Sequence, residues 1–319
     1  MPTLLLPWER YRYDASMLTA AAFLQDEIEI NRQSLLTAGA RYTLTRSELT
    51  FTDDPSIIPP SGKTSDGHLV FSAGHVYRAS ETLVIRANAS QGYRHPNLVE
   101  LFIGSPTHAG MPARGPNPSL DPETSYSLEA GLNYAGQRAF IDASVFLTVS
   151  DDYILYDPIQ YVNIGGAKTA GVELTAKYSI GTSGLTPYLT LTLIRQQLEY
   201  GSIFAVESTT DGGTPFAAGR FGLRAGGQFY SHRWRFDGFC RFSDRATLEY
   251  GEGTRDESAG WATLNAEASL DIKANGQTGA NEIARLYLGL YNLTNRSYKP
   301  LDEIAGAGRS LTFGTRIEF

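Results

Sequence analysis

Cysteine, lysine and long apolar runs are scarce in this chain. Cys240 is the single cysteine, so the chain forms no internal disulfide and has no cysteine-built metal site. Basic charge is carried mainly by arginine; the lysines are Lys63, Lys168, Lys177, Lys273 and Lys299. The formal net charge of −7 and the lack of a basic run argue against nucleic acid as a partner. No stretch approaches the roughly 18 uncharged apolar residues of a transmembrane helix.

Signals for secretion, catalysis and metal binding are also missing. The start, MPTLLLPWERYRY, has no basic segment and its apolar run is interrupted by Pro7, so it is not a signal peptide. No Gly-x-Ser-x-Gly motif occurs, and no two histidines have the i,i+4 spacing of a helical metal pair. The acidic pairs Asp53–Asp54 and Asp151–Asp152 lack a full ligand set. The sequence therefore predicts no catalytic residue, no metal ligand and no cofactor.

The strongest positive signal is strict alternation of apolar and polar residues. Leu264, Ala266, Ala268, Leu270 and Ile272 alternate with Asn265, Glu267, Ser269 and Asp271. A period of two indicates a β-strand whose faces meet two different surroundings. Similar segments recur along the chain, and they predict about thirteen strands, or fourteen if residues 3–14 form one.

The connections between these segments alternate between short and long. Short turns are predicted at Asn31–Ser34, Ala79–Glu81 and Ala135–Gln137, and longer loops at Thr52–Gly67 and Asp151–Gly166. Short turns on one rim and long loops on the other are typical of an antiparallel transmembrane β-barrel. Such a sheet must close in lipid, because an open edge has no water to bond. The predicted fold is all-β, with apolar rows facing lipid and polar rows facing the lumen.

Several phrases in the chain resemble the barrel domain of TonB-dependent outer-membrane receptors. The strongest are GYRHPNLVELF (Gly92–Phe102) and NPSLDPETSYSLEAGL (Asn117–Leu132). The others, in the same order as in the family, are AFLQDEIEI (Ala22–Ile30), VNIGGAKTAGVELTAKY (Val162–Tyr178), LYNLTNRSYKP (Leu290–Pro300) and GRSLTFGTRIEF (Gly308–Phe319).

The resemblance implies a portion of a larger barrel. Family members have about 22 strands around an N-terminal plug, whereas this sequence has about thirteen strands and nothing like the plug. Residues 1–319 are therefore expected to be a C-terminal part of the barrel, without the plug and without a signal peptide. Contact with the energy-coupling protein TonB would come only through that missing part.

The resemblance also implies a function and a location. The expected activity is energy-coupled uptake of a scarce nutrient, such as a ferric siderophore, through the outer membrane of a Gram-negative cell. The partners would be the lipid bilayer and the nutrient, and no bond would be made or broken, so the protein would not be an enzyme. The alternatives are a self-contained porin, an outer-membrane hydrolase, or a soluble adhesin-like β protein whose apolar faces meet each other.

Four residues near the long loops are candidate ligand contacts. Arg94 would pair with an anionic ligand or bond carbonyls of its own loop, and His95 shares that loop with His108. Tyr153 and Tyr156 would form an aromatic wall for a ligand or an interfacial belt. Trp261, which heads a strand, is expected to belong to the belt.

Overall fold

The computed structural model describes residues 11–54, 57, 61–104, 115–156, 160–199, 218–244, 246–250, 254–273, 283–299 and 305–318. Within them the fold is all-β, as the alternation predicts, apart from one short π-helical turn at Val99–Ile103. None of the described helices has the length or the hydropathy that a membrane crossing needs.

Thirteen strands form one antiparallel sheet, and two more form a separate hairpin. The strands are β1 (Tyr13–Asn31), β2 (Ser34–Thr52), β3 (Gly62–Arg78), β4 (Leu83–Arg94), β5 (Glu123–Ala135), β6 (Ala139–Tyr156), β7 (Tyr161–Tyr178), β8 (Leu185–Glu199), β9 (Ala218–Ser231), β10 (Trp234–Ser243), β11 (Ala246–Tyr250), β12 (Thr254–Ser258), β13 (Trp261–Lys273), β14 (Ile283–Tyr291) and β15 (Ser310–Glu318). The sheet order follows the chain, with β10 beside β13 because β11 and β12 pair only with each other.

The register confirms that apolar and polar rows lie on opposite faces of the sheet. On β13, Ala268 lies opposite Phe236 and Leu288, whereas Glu267 lies opposite Asp237. We call these the apolar face and the polar face. The apolar face is uncovered, with Leu24 of β1 75% exposed and Phe313 of β15 71% exposed. Apolar side chains in this number and this arrangement indicate a surface that meets something other than water.

The strands extend farther toward the long-loop rim than the alternation predicts. The predicted loop at Asp151–Gly166 is wrong, because β6 and β7 continue through most of it and leave 157–160 between them. The predicted loop at Thr52–Gly67 is also too long, since β3 begins at Gly62. Ladder hydrogen bonds do not depend on alternation, so strands persist where the period of two is lost. The start of β3 is polar on both faces, and the end of β6 is aromatic or aliphatic on both.

The buried core lies at the long-loop rim of the polar face. Leu49 of β2 and Ile154 of β6 pack with Leu101, Phe102 and Leu120 of the segment that follows β4. Leu101 and Phe102 are almost completely buried. The described parts of the connection between β4 and β5, residues 95–104 and 115–122, therefore fold onto the polar face.

Strands β1 and β15 occupy the two ends of the sheet order. In the described part of the chain they do not pair with each other, so each has one edge of unpaired backbone groups. Closure of the barrel is consequently not part of this structure.

Candidate functional site

The connection between β4 and β5 begins with an arginine held by two carboxylates. The Arg94 guanidinium donates from Nε and Nη2 to the two carboxylate oxygens of Glu123, each at 2.7 Å. Its Nη1 donates to both oxygens of Glu100, each at 2.9 Å. Two-point bonding of this kind fixes the guanidinium plane as well as its position. We call Arg94, Glu100 and Glu123 the arginine clamp.

Each carboxylate of the clamp also accepts a backbone hydrogen bond. The Asn97 amide donates to Glu100 at 2.8 Å, and the Ile154 amide of β6 donates to Glu123 at 2.7 Å. The Asn97 side chain in turn accepts from the amides of Val99 and Glu100 at 2.9 and 3.1 Å. This Asn-x-x-Glu arrangement has the reciprocal bonding of a capping box and starts the π-helical turn.

Gly104 ends the same turn. Its φ is +74°, a conformation that favours glycine, and its amide donates to the Val99 carbonyl at 2.7 Å. The turn places Leu101 and Phe102 in the core, where the Phe102 ring lies against Gly62 of β3.

The segment before β5 is fastened to β7. Two hydrogen bonds hold Asn117 in place. Its backbone amide donates to the Glu100 carbonyl at 2.8 Å, and its side-chain Nδ2 donates to the Tyr161 carbonyl at 2.9 Å. Asp121 and Asn163 bond reciprocally, through the Asp121 amide at 2.8 Å and the Asn163 Nδ2 at 2.9 Å. The two phrases that most strongly resemble the family, Gly92–Phe102 and Asn117–Leu132, thus fold together over β2 to β7. We call the described residues of these two phrases the latch.

His95 lies inside this latch. Its Nε2 is 3.3 Å from the hydroxyl of Ser47, which is fully buried, and its Nδ1 is buried without a hydrogen-bond partner among the described residues. Burial lowers the pKa of His95 below its ordinary value, against the attraction of Asp66. The imidazole is therefore neutral near pH 7. His108, its predicted companion, lies outside the described residues.

Tyr93 completes the polar part of the latch. Its hydroxyl donates to Asp66 at 2.6 Å, and its ring stacks on His68 with centroids 4.8 Å apart. Asp66 and His68 belong to β3, so this contact ties the end of β4 to the strand before it.

The four predicted ligand contacts have different surroundings. Arg94 bonds carboxylates, not the carbonyls of its own loop, and its side chain remains 41% exposed. Tyr153 packs against Ile164 and Ala167, and Tyr156 ends β6 opposite Tyr161. Nothing in this arrangement tests a ligand role for these residues, which stays a prediction.

Sequence reasoning missed Glu100, Glu123 and Asn117. The Asn-x-x-Glu spacing of Asn97 and Glu100 was a signal for the first of them. Trp261 was assigned wrongly to the lipid-facing belt: the register puts it on the face of Asn265 and Glu267, and its ring packs on Tyr298 at 4.5 Å between centroids.

Ion pairs on the polar face link neighbouring strands, or strands with one other between them. Arg86 of β4 bonds Asp142 of β6 through two 3.1 Å hydrogen bonds. Asp271 of β13 accepts from Arg235 at 2.7 Å and from Arg285 at 2.6 Å. These ladders make the face hydrophilic without a large net charge, as a water-filled or protein-filled interior requires. No cluster of three or more metal-binding side chains occurs in the described ranges.

The family comparison identifies the class of protein that this two-faced sheet and its latch define. Residues 4–293 match the family described as TonB dependent receptor-like, beta-barrel. The chain belongs to this family, which confirms the resemblance seen in the sequence.

Curated relatives are similar over about half of the chain. Transferrin-binding protein A of Neisseria meningitidis serogroup B (strain ATCC BAA-335 / MC58) is 27% identical over 171 residues, which cover 49% of this chain and 17% of the relative. The probable TonB-dependent siderophore receptor PiuA of Acinetobacter baumannii is 24% identical over 165 residues, or 51% of this chain and 22% of the relative. The matched region is thus less than a quarter of either relative.

Solved structures share the fold over nearly the whole chain. The copper transporter OprC has a TM-score of 0.72 at 19% identity, covering 95% of this chain and 48% of OprC. The FrpB iron transporter from Neisseria meningitidis (F5-1 variant) also has a TM-score of 0.72, at 17% identity, covering 96% of this chain and 46% of FrpB. The sheet is therefore the fold of about half of such a receptor.

Proposed function

We propose that this chain forms a C-terminal part of the wall of an outer-membrane receptor that takes up a scarce nutrient with energy from the inner membrane. The observation that carries the proposal is the thirteen-stranded sheet with an uncovered apolar face and an ion-paired polar face. A closed barrel of this kind has lipid outside and a polar interior. The location we propose, a multi-pass barrel in the outer membrane of a Gram-negative cell, is supported by the family match.

The nutrient we propose is a ferric siderophore. Relatives and structural neighbours are named for siderophore, iron, transferrin and copper, and iron or its carriers account for most of these names. In this proposal the ligand contacts come from the long-loop rim, with Tyr153 and Tyr156 as the aromatic contribution. Arg94 and His95 act mainly by holding the latch, because Arg94 already bonds two carboxylates.

The chain would act as a transporter and not as an enzyme. It would meet the energy-coupling protein TonB only through a part of the receptor that lies outside residues 1–319. A passive porin and an outer-membrane hydrolase are the competing functions, and each predicts a different dependence on energy and on substrate chemistry.

Uptake of labelled iron in cells that carry the complete receptor gene, or lack it, tests the proposal. We expect uptake of a ferric siderophore to require the gene and to stop when a protonophore collapses the proton-motive force. Uptake that continues after collapse would favour the porin, and chemical conversion of the added compound by purified receptor would favour the hydrolase. Loss of the gene without any effect on uptake of several chemical classes of ferric siderophore would contradict the proposed nutrient.

A further inference from the structure

The apolar face contains a depression of about 460 Å³ that crosses strands β2 to β6. Its floor is made of alanines: Ala73, Ala87, Ala89 and Ala130. The register places Ala73 opposite Ala89, and Ala87 opposite Ala130, so the methyl groups adjoin across three strands. Leu128 and Val145 stand beside them. A hollow forms here because the side chains around the alanines reach farther from the sheet.

A polar pair lies at the short-turn end of this hollow. His75, which contributes to its lining, has its Nε2 2.6 Å from the hydroxyl of Ser34 at the start of β2. Ser34 is buried, and His75 lies opposite Leu36 on the apolar face. A hydrogen-bonding group at this position can meet the polar end of a molecule whose apolar end fills the hollow.

The turns below the hollow are basic. Arg32, Arg78 and Arg138 are exposed in or beside the β1–β2, β3–β4 and β5–β6 turns, and Glu81 is the acidic residue of these turns. None of the three arginines has an ion pair with another described residue. Asp26 of β1, opposite Ala38 on the apolar face, lies farther from this rim than His75 does.

We propose that this hollow binds one acyl chain of an anionic phospholipid from the leaflet at the short-turn rim. The phosphate lies at Arg32 and Arg78, and His75 bonds the ester region of the same lipid. Arg78 is three positions beyond His75 on β3, or about 10 Å along the strand. The alternation starts its side chain on the polar face, but Arg78 is the exposed last residue of β3, so its long side chain can turn at the rim toward a lipid headgroup. The site rests on the proposed function, because the apolar face meets lipid only in a membrane.

Charge favours a lipid over a second copy of the chain at this surface. Two copies in one membrane share their orientation, so their basic turns would lie at the same level and repel each other. An anionic headgroup neutralises those turns instead.

Native mass spectrometry of the complete receptor tests the site. The receptor is equilibrated with equal amounts of phosphatidylglycerol and phosphatidylethanolamine, and the lipid that remains bound is counted. Ala89→Leu fills the hollow, and the double variant Arg32→Gln/Arg78→Gln removes rim charge. Ala225→Leu, on the apolar face of β9, and Arg233→Gln, in the β9–β10 turn, are the matched controls.

We expect the unaltered receptor to retain phosphatidylglycerol preferentially. Ala89→Leu should lose the bound lipid, and the double variant should lose about fivefold in preference for each arginine removed, while both controls behave like the parent. Equal retention of the two lipids by the parent would overturn the headgroup assignment. Equal lipid retention by Ala89→Leu and Ala225→Leu would overturn the assignment of the hollow as the binding site.

Two further measurements separate misfolding and mislocation from loss of the lipid. Circular dichroism checks the sheet content of each variant, and Ala87→Val repeats the filling with a smaller change. Recovery of the parent receptor in the soluble fraction would remove the proposed function and this site together. Recovery in membranes without lipid preference would remove this site alone.

Discussion

At the scale of single residues, the asparagines and charged residues of the phrases shared with the family hold the backbone of the connecting segments in place through hydrogen bonds. In the phrase Leu290–Pro300, Asn292 and Asn295 both have positive φ, of 50° and 51°. The Asn292 side chain donates to the carbonyls of Arg296 and Ala307 at 2.8 and 3.0 Å. Asn295 accepts from the Arg309 amide at 3.0 Å. Asparagine tolerates this conformation and supplies the bonds, so these residue types are needed where the chain turns back toward β15.

Replacing Arg94 tests the arginine clamp. Arg94→Ala would leave the Glu100 and Glu123 carboxylates, both largely buried, without their cation. We expect a loss of about 1–3 kcal/mol, less than for a fully buried pair because the Arg94 side chain is partly exposed. Hydrogen exchange at the Asn97 and Ile154 amides, which donate to these carboxylates, should accelerate.

The matched control for this variant is Arg46→Ala. Arg46 and Glu48 form a 3.0 Å pair with side chains 50% and 36% exposed, and its removal should cost less than about 1 kcal/mol. Equal effects of the two variants on unfolding would show that the clamp is no stronger than a surface ion pair.

His95 predicts a pH dependence of the latch. Its pKa in the folded protein is lowered by burial, so the unfolded or opened form takes up a proton first as the pH falls. The closed latch should therefore lose stability below about pH 6.5 and keep it above that value. Hydrogen exchange at the backbone amides of residues 95–104 and 115–122, measured between pH 7.5 and 5, reports the loss of stability. His95→Gln should make this loss smaller. An unchanged profile in His95→Gln would assign the dependence to another group.

At the scale of elements, the strands were predictable and the latch was not. Alternation on β13 was visible because each of its rows keeps a single polarity from Ala262 to Lys273. The latch depends on pairs such as Arg94 with Glu123, separated by 29 residues, and on Asn117 with Tyr161, separated by 44. No local pattern encodes which charged residues meet across the ends of β4, β5 and β7. The sequence therefore located the phrases correctly but left the partner of Arg94 open.

Paired arginine substitutions on β13 test the two faces of the sheet. Ala268→Arg puts a charge between Phe236 and Leu288 on the apolar face. It should destabilise the inserted protein by about 2–4 kcal/mol if Ala268 lies near the membrane midplane. Ser269→Arg, on the face that already holds Arg235 and Asp271, should cost much less. Unfolding in lipid vesicles gives both values, and equal costs at the two positions would exclude a two-solvent sheet.

The last strand predicts a requirement for assembly. Leu311, Phe313 and Ile317 are exposed on the apolar face of β15, and Phe319, which lies outside the described residues, continues this row in the sequence. An aromatic residue that continues a lipid-facing row at the rim favours the membrane interface, and a carboxylate in its place opposes insertion. Phe319→Asp should lower the amount of receptor in the outer membrane while synthesis stays normal. Normal surface levels, measured against a Phe51→Asp control near the opposite rim, would remove this argument.

At the scale of the whole molecule, the sheet order decides what residues 1–319 can do alone. Strands β1 and β15 each leave one edge of unpaired backbone groups in the described part of the chain. Unpaired edges are costly in lipid and promote association in detergent. A thirteen-stranded sheet that closed on itself would also be narrower than the barrel of about 22 strands typical of large outer-membrane transporters.

The purified 319-residue chain should consequently show no energy-coupled transport. If it closes, it should form a pore lined by side chains of the polar face such as Arg235, Asp237 and Glu267, and the flux should be passive. If it stays open, it should oligomerise or aggregate through β1 and β15. Conductance of planar bilayers detects the first case, and light scattering in detergent detects the second. Uptake of a ferric chelate into vesicles by this chain alone, with dependence on the proton-motive force, would contradict the proposal that coupling requires the rest of the receptor.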